Sequence, residues 1–194
     1  MLFLSAPATA DDSFSADRCI ERLVRADCPV PSEAQAYLRK QLTMCLHIED
    51  THSKQSLEVL VLKPRRAVTI VQTAGAYHWK GYCHVNRFSL GAHYLQEARV
   101  VSQKKGMSTA LLVSDSGQLY ALHPDRRFFE LMDGDGKPFH EIKTLMPEHD
   151  GQAVKIVYHS AQPKTLATSD LVEKSAKRPL VAPDPFWSLA GLED

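Results

Sequence analysis

Within its first sixty residues the hydrophobic period of this chain changes from helical to strand-like, and that change constrains the fold more than any motif. Between Ala16 and Ala26, Cys19, Ile20, Leu23 and Val24 form an apolar stripe at helical spacing, with Arg18, Glu21, Arg22 and Arg25 outside it. The spacing predicts a short amphipathic helix. Asp27-Cys28-Pro29-Val30-Pro31 breaks it, and Ser32 with Gln35 forms a capping-box signature for a second helix. Ala34, Leu38, Leu42 and Cys45 then recur four, four and three apart, with Tyr37, Gln41, Met44 and Ile48 alongside. A helical hairpin is expected to open the fold.

From Ser56 the period becomes two and β-branched residues grow frequent, in Leu57 to Leu62 and again in Ala67 to Thr73. Lys63-Pro64-Arg65-Arg66 joins these two runs tightly, and Ala76 to Val85 reads as a third strand. Tyr94 to Ser102 fits helix or strand equally. Thr109 to Val113, the turn Asp115-Ser116-Gly117, and Leu119 to Leu122 make the clearest hairpin. Phe128 to Met132 and Phe139 to Leu145, around Asp133-Gly134-Asp135-Gly136, predict another, and Ala153 to Tyr158 the last strand. Short strands joined by turns imply an antiparallel sheet, so the class is α+β, with the helical hairpin packed on the sheet.

Composition shifts after His159. Gln162 to Pro183 is polar, contains three prolines and lacks aromatic residues, a linker composition. Beyond it, Asp184-Pro185 is a helix start, and Phe186, Leu189 and Leu192 recur three apart beside Trp187. The expected organisation is a signal remnant over 1–10, one α+β domain over 11–160, and an extended Pro-containing tail over 161–194 ending in a short helix. Phe186, Trp187, Leu189 and Leu192 would be the anchors by which that helix binds a protein partner.

Ala8-Thr9-Ala10 has the small-x-small pattern that a signal peptidase cleaves, which predicts a periplasmic or secreted protein. Four cysteines, Cys19, Cys28, Cys45 and Cys83, suit two disulfides in an oxidising compartment. With Cys45 placed on the second helix, helical rise would hold it about 20 Å from Cys28, beyond bonding reach. Two pairings survive. Cys19 with Cys45, leaving Cys28 for Cys83, ties the two helices together and is preferred; Cys19 with Cys28 and Cys45 with Cys83 is the other.

The 23 basic residues are matched by 23 acidic ones, so no excess of positive charge points to nucleic acid. No apolar stretch has the length of a membrane-spanning helix. Cys45, His47 and His52, and separately His78, Cys83 and His84, cluster in sequence without a recognised zinc spacing. Asp133 to Lys137 has part of a calcium-loop pattern, but Lys137 and Pro138 stand where an EF-hand needs an oxygen ligand and a glycine. Neither metal nor cofactor is expected. Ser114 to Leu122 resembles one strand pair of a quinoprotein-type propeller blade, but the chain is too short for four blades and the resemblance implies no function.

No nucleophile elbow, phosphate-binding loop, dinucleotide turn or His-Glu-x-x-His helix occurs. The leading expectation is therefore a non-enzymatic interaction module, an adaptor, assembly subunit or inhibitor, with homo-oligomerisation through the same anchors as a variant. The alternative is an envelope-associated or secreted hydrolase, whose first candidates are Glu130, His140 and Glu141.

Overall fold

Among the described residues the fold is built from two α-helices and fourteen strands. The computed structural model describes residues 15–28, 30–75, 78–79, 82–83, 85–104, 106–133 and 135–177. Helix α1 (Ala16–Arg25) starts at Ser15, whose hydroxyl accepts the Arg18 amide, and buries Cys19, Ile20 and Leu23, the predicted stripe. Helix α2 (Ser32–Gln41) buries Ala34 and Leu38. It ends earlier than its four-residue periodicity predicts. Leu42 already has extended backbone, and β1 (Leu42–Asp50) follows without a loop. The residues placed on the second helix, Leu42, Met44, Cys45 and Ile48, instead form a ladder against β2 (Gln55–Leu62). Pairing with a strand overrides a pattern that both periods fit.

The connection of Lys63 to Arg66 leads into β3 (Ala67–Ala74), and β3 pairs with β6 (Val85–Ser89) after the short ladder of β4 (His78–Trp79) and β5 (Tyr82–Cys83). The single strand expected over Ala76 to Val85 is thus divided among three elements. The ambiguous segment after Tyr94 is strand β7 (Leu95–Lys104), paired with β8 (Met107–Ser114). The hairpin of β8 with β9 (Leu119–Leu122) forms as predicted. Its Gly117 has φ of 75° and passes so close to the Glu141 and Ile142 backbone that a Cβ there would collide with the Glu141 nitrogen. Strand β10 (Phe128–Met132) pairs with β9, while β11 (Ile142–Glu148) pairs with β12 (Ala153–Tyr158) in a separate sheet; of the predicted hairpin of β10 with Phe139 to Leu145, the described residues keep one bridge, Met132 with Pro138 just before that arm. Within the segment read as linker lie two more strands. β13 (Lys164–Ala167) extends the separate sheet, and β14 (Val172–Lys177) pairs with β10.

All these pairings are antiparallel, and the class is α+β with strands predominating. The layers follow from side-chain alternation. Ile48, Leu57, Val59, Val61, Val68, Ile70 and Phe88 of β1, β2, β3 and β6 share one apolar cluster with Leu95, Ala98, Ala110, Leu112, Tyr120, Leu122 and Phe128 of β7 to β10. The Phe88 and Phe128 rings stack at 4.9 Å, so the two groups of strands lie face to face. The opposite face of the first group carries Leu60, Val71 and Val85 and is covered by α1 and α2. The opposite face of the second carries Leu111, Val113, Leu119 and Ala121 and is covered by β11, β12 and β13. One residue pair, Asp50 with Met107, joins the two groups through the ladder of β1 and β8.

Candidate functional site

Strand β1 lies at the margin of the first group and β7 at the margin of the second. Both strands adjoin β8, but among the described residues β1 and β7 do not pair with each other, and a groove of about 520 Å³ runs between them. Met44, Cys45 and Leu46 form one wall, Gln96 to Arg99 the other, and Lys143 and Thr144 of β11 flank it.

The direction of the β1 backbone groups follows from two hydrogen bonds. The Thr51 amide donates to the Gly106 carbonyl at 2.8 Å, and the Glu49 amide to Ser108 Oγ at 2.9 Å, so both residues turn their backbone away from β2. Backbone direction alternates along a strand, which gives His47 and Cys45 the same outward orientation. Among the described residues, nothing pairs with the outward N–H and C=O of either.

The side chains of the same two residues point toward α1 and are held firmly. Cys45 is bonded to Cys19 of α1, with the Cα atoms 6.2 Å apart. The preferred pairing forms, though it ties a helix to a strand, because Cys45 is not helical. Cys28 is disulfide-bonded as well. The side chain of Cys83 lies outside the described residues.

Beside the disulfide sits Glu58, a carboxylate only 1% exposed on β2. Arg22 grips it with both arms, Nε to Oε1 at 2.9 Å and an Nη to Oε2 at 3.0 Å. His47 Nδ1 lies 2.8 Å from Oε1. A second Arg22 contact reaches Cys45 Sγ at 3.1 Å, and Glu58 Oε2 is 3.4 Å from that sulfur. A disulfide sulfur carries no proton, so the sulfur–carboxylate approach is a contact without a hydrogen bond. The hydrogen bond to Glu58 raises the His47 pKa above the ordinary imidazole value, against the opposing effect of burial. Arg22, read from the sequence as a solvent-facing residue, thus turns inward because a buried carboxylate needs a bidentate cation.

Cys19, Cys45 and Glu58 bring three donor atoms within 4.8 Å of one another. The set does not suit a metal ion in this state: the two sulfurs are bonded to each other, and Arg22 covers both carboxylate oxygens. A smaller cavity of about 270 Å³ adjoins the cluster, lined by Arg22, Arg25, His47 and Glu58 among others.

The hydrolase candidates are not drawn together. Glu130 lies on β10, whereas exposed His140 and Glu141 precede β11 in the other sheet, with Glu141 accepting from Ser160 Oγ at 2.8 Å. None of the three lines the cavities above. Phe186, Trp187, Leu189 and Leu192 lie outside the described residues. Among the described residues, no helix is long and apolar enough to cross a membrane.

No protein-family profile, curated protein or solved structure matches this chain.

Proposed function

We propose that this protein is a non-enzymatic interaction module of an oxidising compartment, periplasmic or secreted, that binds a protein partner by adding a strand to the outer edge of β1. The outward, unpaired backbone groups of Cys45 and His47 beside an open groove carry this reading. The same two residues are pinned on their other side by the Cys19 disulfide and the Glu58 cluster, so the edge is held in shape before a partner arrives. Adaptor, assembly subunit and inhibitor are all roles that strand addition serves. Phe186, Trp187, Leu189 and Leu192 supply a second contact to the same partner.

Site-specific photo-crosslinking in intact cells tests this. A benzophenone side chain at Gln96, in the groove wall, is expected to give a covalent adduct with a partner protein. The same group at Lys164, on exposed β13, is expected to give none. Adducts from Lys164 with none from Gln96 would reject the groove. A crosslinker at Trp187 that captures a different protein would separate the tail from this contact.

A further inference from the structure

We infer that the segment taken up along β1 is extended and acidic, an inference that rests on the docking reading above. The wall facing the β1 edge sets its charge. Arg99 of β7 and Lys143 of β11 both line the groove. Lys143 is exposed, and its ammonium has no ion-pair partner among the described residues. The carboxylate on this wall, Glu97, is already committed: it accepts from Thr144 Oγ1 and the Leu145 amide, each at 3.0 Å, and from an Arg99 Nη at 2.7 Å. Its side chain is 12% exposed, against 44% for Arg99. A guanidinium has five N–H donors in a planar fork, so Arg99 retains donors after this bond.

The groove therefore offers an incoming chain two things. One is a strand edge with free backbone groups; the other is a wall whose one charge unpaired among the described residues, Lys143, is positive, beside an Arg99 that keeps donors beyond its pair with Glu97. Successive side chains of an added strand point to opposite faces, so acidic residues at alternate positions would meet Arg99 and Lys143 while the backbone pairs with Cys45 and His47. A basic segment would bring like charge against that wall.

The test uses the oxidised full-length chain, labelled with ¹⁵N, and three blocked synthetic peptides. One alternates valine with glutamate, one alternates valine with lysine, and one is the glutamate peptide with a central proline that cannot pair. The glutamate peptide is expected to shift the Cys45 and His47 amide signals, with affinity falling as salt rises. It is expected to bind about tenfold more weakly when Lys143→Glu and Arg99→Gln are combined. The proline peptide is expected to leave the signals unmoved.

Equal binding of the lysine peptide would overturn the acidic specificity and leave strand addition standing. If no peptide moves the edge amides, strand addition at β1 itself fails. Slow exchange of the Cys45 and His47 amides in the protein alone would show the edge already covered. Light scattering then tells a second copy, seen as a dimer, from the chain's own 178–194 segment, and either result overturns the proposal.

Discussion

The two outer faces of the paired strand layers are covered in different ways. On the second layer, Leu111, Val113, Leu119 and Ala121 meet Leu145, Val154 and Ile156 of the sheet of β11 to β13, which forms the third sheet layer, and apolar area holds the contact. Polar groups on that side are paired as well, Thr109 Oγ1 with His123 Nδ1 at 3.2 Å and Glu97 with Thr144 Oγ1 and the Leu145 amide at 3.0 Å, without a covalent link. On the first layer, two ten-residue helices cover the sheet, and a disulfide and a buried carboxylate with two cationic partners sit inside the contact. Two short helices bury little surface by themselves. Covalent and charged links fix them in place where apolar packing alone sets no unique position. The face that is specified in this way is the one whose strand edge is left open.

That contrast predicts a graded response to substitution. Ile156→Ala, in the apolar contact of the third sheet, should cost about 4 kcal/mol in urea unfolding and be indifferent to reductant and pH. Replacing both Cys19 and Cys45 with Ser should cost about 3 kcal/mol, since the bond closes a loop with a sequence separation of 26. A loss this large on the third-sheet side from reductant alone would erase the distinction. Arg22→Met leaves the Glu58 carboxylate buried with one partner fewer; because the Arg22 side chain is 38% exposed, the cost is discounted to about 2 kcal/mol, read from the shift in urea midpoint.

The smallest effect is the pH dependence of His47. Its folded pKa lies above the unfolded one, so its contribution is fully present below about pH 6.5 and is lost as pH rises through the raised folded value. With the side chain 39% exposed, this amounts to less than about 1 kcal/mol. Unfolding midpoints of wild type and His47→Ala from pH 5 to 9 should converge at the alkaline end. Parallel curves would remove His47 from the cluster's energetics.

Much of this layering is legible in the chain. The β8–β9 hairpin follows from Asp115-Ser116-Gly117, and α1 from its stripe, because local chemistry decides both. The β1 segment misleads because Ala34, Leu38, Leu42 and Cys45 are consistent with a helix until β2 competes for them. β13 and β14 escape notice because an edge strand needs backbone partners more than apolar residues, and the exposed Lys164-Thr165 has no strand signature. The cluster leaves one trace in the sequence: Glu58 interrupts the apolar run Leu57 to Leu62, most of which is buried on both faces. A charge at such a position demands a cation, but only the folded chain shows that Arg22 and His47 supply it. The open edge has no sequence signal at all, since it consists of backbone groups that nothing among the described residues opposes.

The Cys19–Cys45 bond also has a mechanical meaning. Tension applied to the chain on either side of it passes directly from residue 19 to residue 45, so α2, which lies in the enclosed loop beyond Cys28, is bypassed by the load. If a bound partner pulls on the protein, the force runs along β1 and into α1 through a covalent link. α1 then stays tied to β1 while the load is carried, and the first strands to bear it are those next to the open edge.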